Sequence, residues 1–399
     1  MQKGADIKIL LMHPYCYTIY QSGDELFNRI MRKNIKKVFY YALKPNDKQY
    51  VITSYKILTV INNAFVQDII DNNLILEYYP IIFKTESPNT LLISRYSMLA
   101  TVTLSASVKN SENTCQILVN LLNDVNFLAT YYLYHSIYTF PDRFVRNRQA
   151  IVNLHLEVLI SQYIRRIDAS TIDFNNILDP TASKLAAWYN LIKVAIDNKV
   201  YDKQFVSDDV WQSLSIDAEV PQRVHDARWD AISSFCKKTQ PSFCMVFLYQ
   251  AFHLFSEVPS ALCPYHVSAL EVITNVIPAC PNELPLNVLQ TILNTLVHFT
   301  SNSFFHLAVL HLCEILSAIP SICEQAAIIF VPPLIKETSD RTKGILHVAA
   351  FAIIKVFLLA TTKNQRLHTM LFSLNDVVTF IRGDLRQYEE LLTTPFGDE

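Results

Sequence analysis

The stretch from Pro285 to Pro320 reads P-L-N-V-L-Q-T-I-L-N-T-L-V-H-F-T-S-N-S-F-F-H-L-A-V-L-H-L-C-E-I-L-S-A-I-P, and its grammar is helical throughout. Proline fits the first turn of a helix, where its missing N–H leaves nothing unpaired, so Pro285 and Pro320 each mark a helix start. Between them apolar residues recur at helical spacing, and the run breaks once, at Thr300, Ser301 and Asn302. This predicts helices over 285–299 and 303–318. Working outward, the same punctuation predicts helices over 320–335 and 341–361. Pro221, Pro241 and Pro264 each stand just before an apolar periodic run of their own. Nearly all of these runs carry apolar residues on more than one face, the pattern of a helix sandwiched between neighbours.

Glycine is the other decisive signal. Only five occur in 399 residues, at Gly4, Gly23, Gly344, Gly383 and Gly397, against an average use of about 7%. Tight hairpins and phosphate-cradling loops need glycine at left-handed or closely approached positions, so neither a dinucleotide fingerprint nor a P-loop can be written here. A chain that is 51% apolar and still avoids glycine is expected to consist of helices joined by short polar or proline turns. No fixed repeat period is legible. The expected fold is therefore all-α, an irregular armadillo/HEAT-like right-handed α-solenoid of roughly twenty helices.

The first half follows the same rules with weaker punctuation. Ser22 and Glu25 have the spacing of a capping box ahead of Leu26, Phe27 and Ile30. Ile57, Leu58, Ile61, Ala64 and Phe65 mark one apolar face, and Ile117, Leu118, Leu121, Leu122 and Val125 another. Two stretches read as joints, the Asn-rich Asp168 to Asp179 and the acidic Tyr201 to Pro221. They suggest an N-terminal array over 1–199 and a C-terminal array over 200–399 that continues the same stack.

The sequence is poor in chemistry. Charged residues make up 18% and the net charge is −2, with no basic stripe of the kind a nucleic-acid binder needs. The densest basic group, Arg29, Arg32, Lys33, Lys36 and Lys37, reads as a solvated helix face. The aromatic run Phe127, Tyr131, Tyr132, Tyr134, Tyr138 and Phe140 is flanked by Asp124 and His135, with arginines only from Arg143, Arg146 and Arg148 on, and reads as core packing instead of a base-stacking platform. Eight cysteines show no C-x-x-C spacing and are expected to be reduced core thiols of a cytoplasmic protein, with the nucleus as a second location. The longest apolar tract, Gly344 to Ala360, is interrupted by His347 and Lys355 and falls short of the roughly 20 residues that span a bilayer. Among eleven histidines the tightest group is His298, His306, His311 with Cys313. His306 and His311 diverge by about 140° around a helix, so they cannot share a metal as the two histidines of H-E-x-x-H do. No nucleophile elbow or kinase set is present. The expectation is no enzyme activity and no catalytic, cofactor or metal residues.

The N-terminal quarter carries a further signal. The text L-L-M-H-P-Y-C-Y-T-I-Y-Q-S-G-D-E-L-F-N-R-I (Leu10 to Ile30) resembles the opening helices of the SAPS family, regulatory subunits of PPP-type serine/threonine phosphatases. His13, Pro14, Ser22, Gly23, Leu26 and Arg29 fall on the family's pattern. Ser54 to Tyr79 is similar to its next helix, and S-P-N-T-L-L-I-S-R-Y (Ser87 to Tyr96) to its Pro-Leu-Asn-Pro-Leu-Leu turn, with Thr90 where the family has proline. A weaker likeness lies at Thr181 to Ile192. The resemblance implies a non-catalytic regulatory or scaffold subunit that binds a serine/threonine phosphatase catalytic subunit, with Asn89, Arg95 and Tyr96 as partner contacts. The residues themselves leave another reading open, in which Asn89 caps a helix and Tyr96 is core. A general armadillo/HEAT adaptor in transport or vesicle coating would share every compositional feature.

Overall fold

Helix starts are set by side chains that the sequence supplies. In this computed structural model, which describes residues 6–85, 89–338 and 344–393, Asp24, Asn62, Asp179, Asn302 and Asn364 each accept a hydrogen bond from a first-turn backbone N–H. Each satisfies a donor that the helix leaves orphaned. Pro241, Pro264 and Pro320 are the first residues of the helices Pro241–Leu254, Pro264–Val276 and Pro320–Thr338. Pro221 and Pro285 stand immediately before Gln222–Cys236 and Leu286–His298. Among the described residues there is no strand, and the fold is all-α.

The four helices read around Pro285 are Leu286–His298, Ser303–Ser317, Pro320–Thr338 and Ile345–Ala360. The third runs through Pro332 and Pro333, past the end predicted at 335. Each proline removes one ladder bond, and Ile328, whose carbonyl loses its partner to Pro332, is half exposed, so water is at hand. Gly4, Gly397, Ser87, Pro88 and residues 341–343, all touched on above, lie outside the described residues. The capping box at Ser22 and Glu25 does not form. Ser22 Oγ donates back to the Ile19 carbonyl at 2.7 Å, and Asp24 Oδ1 accepts from Phe27 N–H at 2.7 Å instead. Gly23, at φ +76°, makes the corner between the two helices. Elsewhere Asn73, Asn110 and His155 take the left-handed corners at φ 52°, 58° and 49°, which is how a chain so short of glycine still turns.

The chain forms two compact units, Met1–Val224 and His225–Glu399. The division comes later than the 199/200 boundary expected from composition. The reason is that 201–221 folds back onto Leu156–Arg166. Arg165 pairs with Asp209 at 3.1 Å, Gln204 Nε2 donates to the Val152 carbonyl at 2.9 Å, and Tyr189 OH reaches the Ser213 carbonyl.

In the first unit the helices Gln49–Thr59, Thr90–Ser105, Phe127–Thr139 and Pro180–Asp197 pack each against the next, with shorter helices along them. In the second unit Pro264–Val276, Ser303–Ser317 and Ile345–Ala360 form one row, and Leu286–His298 and Pro320–Thr338 form another against it. Two side-chain hydrogen bonds tie Gln222–Cys236 to Pro264–Val276. Ser268 donates to Asp230, and Ser233 to Glu271, each across 38 residues.

Candidate partner-binding surface

The three residues singled out by resemblance have three different fates. Asn89 is exposed, and its Oδ1 accepts from Leu92 N–H at 3.2 Å, capping the Thr90–Ser105 helix. Arg95, 8% exposed, faces inward. Its guanidinium donates to the Lys44 and Asn46 carbonyls at 2.8 and 3.4 Å and to Asp47 Oδ1 at 2.9 Å, and it lies over the Tyr55 ring. Tyr96 is wholly buried. Its hydroxyl donates to the Ile75 carbonyl at 2.5 Å, its ring meets Phe83 edge-on, and burial drives its phenol well above the usual value. Asn89 as a cap and Tyr96 as core is thus the arrangement found. Tyr96 has no surface to offer a partner, and Arg95 spends its donors on the 44–47 turn. The helix period made the burial of Tyr96 legible, because Ile93, Tyr96 and Ala100 share the buried face.

The other candidate groups are dispersed. His306 is buried, with its Nε2 bonded to the Phe299 carbonyl at 2.9 Å, while Cys313 is buried and His311 exposed. Among the described residues no three His, Cys, Asp or Glu side chains gather as a metal-holding group. All eight cysteines are free. Burial lifts the thiol of Cys16 to about 11 and that of Cys115 to about 12, the reverse of what a thiolate nucleophile needs. In the aromatic run Phe127, Tyr134 and Tyr138 are fully buried, while Tyr132 and Phe140 reach the surface. The basic face keeps Arg29, Lys33, Lys36 and Lys37 exposed, and Arg32 makes a two-pronged bond to Asp68 at 2.6 and 2.9 Å.

A surface the sequence did not single out lies in the second unit. The helix Ser303–Ser317 buries Phe305, Val309, Leu312 and Leu316 on one side. On the other it leaves Phe304 78% and Leu307 65% exposed, followed by His311 and Glu314 at the same spacing. The adjacent helix in the row, Ile345–Ala360, leaves Ile345 and Val348 exposed at the matching position of its own first turn. Sequence reasoning assigned this surplus apolar face to a sandwiching neighbour. Among the described residues nothing covers it. Large apolar side chains that water touches on this scale mark an interaction surface more often than chance.

Beside this ridge runs a polar ladder. Lys237 Nζ and Ser233 Oγ donate to Glu271 Oε2 at 2.8 and 2.6 Å, and His311 is close enough to act on it electrostatically. Burial alone would raise the Glu271 carboxyl, but the bonds from Lys237 and Ser233 outweigh it and hold the carboxyl below its ordinary value. The arrangement offers apolar anchorage at one end and a fixed carboxylate at the other. It is suited to recognition, and it brings no nucleophile against a base. Compared with known proteins, the chain matches no protein-family model and no curated sequence.

Proposed function

We propose that this chain is a non-catalytic regulatory or scaffold subunit that holds a PPP-type serine/threonine protein phosphatase and fixes the access or location of its substrates. The observation that carries the scaffold reading is the uncovered ridge of Phe304, Leu307, Ile345 and Val348, since exposed apolar patches mark protein-protein interaction sites. The two rows of helices in the second unit support an armadillo/HEAT-like solenoid, in which each helical unit packs on the next. The phosphatase as partner rests on the SAPS resemblance of the N-terminal quarter. In this reading the partner carries the metals and performs the hydrolysis, in the cytoplasm or nucleus, while this chain contributes surface.

Affinity purification of the tagged chain from its native cell, followed by mass spectrometry, tests the reading. A phosphatase catalytic subunit recovered with the wild type and lost with Phe304→Asp plus Leu307→Asp supports it. Recovery of coat or transport factors without any phosphatase selects a general armadillo/HEAT adaptor. Equal recovery of the phosphatase with the variant removes the ridge as its seat.

A further inference from the structure

The first unit holds a cleft of about 500 Å³ whose floor is Trp188, stacked on Tyr163 with ring centroids 5.6 Å apart. Its rim carries Val125, 86% exposed, and Leu128, with two cations, Arg166 and Lys184. Lys184 Nζ donates to the Asn123 and Asp124 carbonyls at 3.3 and 3.0 Å. Arg166 makes no hydrogen bond or ion pair among the described residues. No carboxylate lines the cleft. Asp124 acts on Lys184 electrostatically, which leaves Arg166 as the cation of the rim without a partner among the described residues. An apolar slot with such a rim calls for an apolar segment bearing negative charge.

The same neighbourhood presents such a segment. The stretch 168–179 leaves the cleft wall at Ile167 and returns to it at Pro180, and reads D-A-S-T-I-D-F-N-N-I-L-D, with three aspartates and no cation. Ile177 and Leu178 are 82% and 80% exposed, and Phe174 is half exposed. Only two or three residues from Pro180, Ile177 and Leu178 lie within about 10 Å of the rim, since an extended chain covers about 3.3–3.6 Å per residue. The segment is nevertheless tied down outside its own cleft. The Arg223 guanidinium donates to the Ile177 and Asp179 carbonyls. Asp179 Oδ1 is spent on Ala182 N–H at 2.7 Å, and Ile172 is buried beneath.

We infer that the cleft seats the 168–179 segment of a second copy of this chain, and that two copies exchange these segments across a two-fold axis. A slot and its complementary segment that adjoin on one chain can both be filled at once by a single two-fold operation, which closes the assembly as a dimer. Phe174, Ile177 and Leu178 supply the apolar contact. Asp173, exposed on the segment, meets the partner copy's positive rim.

Sedimentation velocity and mass photometry of the full chain across the micromolar range test this. The expected result is a concentration-dependent dimer that Leu178→Asp and Val125→Asp each convert to monomer, with helical content unchanged by circular dichroism. Arg166→Asp and Asp173→Arg should each weaken the dimer about tenfold, about 1.4 kcal/mol, and the two together should restore it, which no general loss of structure would do. A monomer at every concentration overturns the inference, as does a dimer indifferent to these variants. So does a monomer that captures another protein through Val125 and Leu128. The phosphatase reading rests on the separate ridge of the second unit, and either can fail without the other.

Discussion

From Pro241 to Ala360 the α-helices run 13–19 residues and start at or beside a proline, an Asn cap or, for Ile345–Ala360, Gly344, whereas from Ile7 to Phe83 they run only 6–11 residues. These long helices bury whole apolar stripes against the next row. Short helices in the first unit end often, and every end leaves carbonyls to satisfy. The longer helices of that unit, Thr90–Ser105 and Pro180–Asp197 among them, reach back with side chains to distant carbonyls: Arg95 to Lys44, Tyr96 to Ile75 and Lys184 to Asn123, with Asn147 bonded to Leu104. Short helices meeting at irregular joints are thus clamped by side chains from longer helices that cross them, where the stacked rows add a continuous apolar area.

The comparison can be broken most forcefully in the cores. Phe305→Ala and Trp188→Ala should each cost about 3–5 kcal/mol. In urea unfolding followed by both fluorescence and circular dichroism, each should displace a different transition, one per unit. A single transition moved equally by both would mean that the units do not unfold separately.

Next in size are the clamps. Arg95→Ala should destabilise the first unit by about 1–3 kcal/mol, because it removes a buried side chain and the donor of the Lys44 and Asn46 carbonyls, while the exposed Asp47 is left to water. The folded variant should still recover the same partners as wild type. If recovery is lost while stability is unchanged, Arg95 is a contact residue after all.

Acid should separate the units by sign. In the second unit burial lowers the imidazole values of His306 and His266, so the stability they contribute is present above the unfolded value near 6.5 and is lost as pH falls toward the lower folded value. Replacing His306 by Gln should flatten that loss in unfolding curves taken below pH 6.5. In the first unit burial raises the Glu157 carboxyl, against hydrogen bonds from His155 and Gln204. Its contribution therefore grows as pH falls through the raised folded value toward about 4.3. Glu157→Gln should remove that gain. A common sign for the two variants would contradict the assignment.

The smallest stability change belongs to the ridge. Phe304→Asp and Leu307→Asp should each leave unfolding within about 0.5 kcal/mol of wild type, since neither side chain is buried. Larger losses would show that a neighbour packs there.

Helix starts after Pro241, Pro264, Pro285 and Pro320 were legible because a proline admits few positions in a helix. The end of the helix through Pro332 was not, because solvent next to Ile328 tolerates the missing bond and no local rule records it. The capping box at Ser22 was misread because Ser22 Oγ turns back to the Ile19 carbonyl and the helix starts two residues later, with Asp24 capping Phe27 N–H. Of the expected contacts, Asn89 and Tyr96 are as the cap-and-core alternative had them. Arg95 was opaque, because its partners Lys44, Asn46 and Asp47 lie 51, 49 and 48 residues away. The ridge and the cleft were equally hidden, since an apolar face reads the same whether a neighbour covers it or water does.

By itself, then, the chain's scarcity of glycine, its proline and Asn or Asp caps and its apolar period determined that it is helical and roughly where each helix starts, since these are interactions within a few residues. Only the tertiary structure decided where the units divide, which apolar faces stay open and which cations are already engaged. Those outcomes depend on contacts between residues tens of positions apart, whose loop-closure cost and geometry no local pattern encodes.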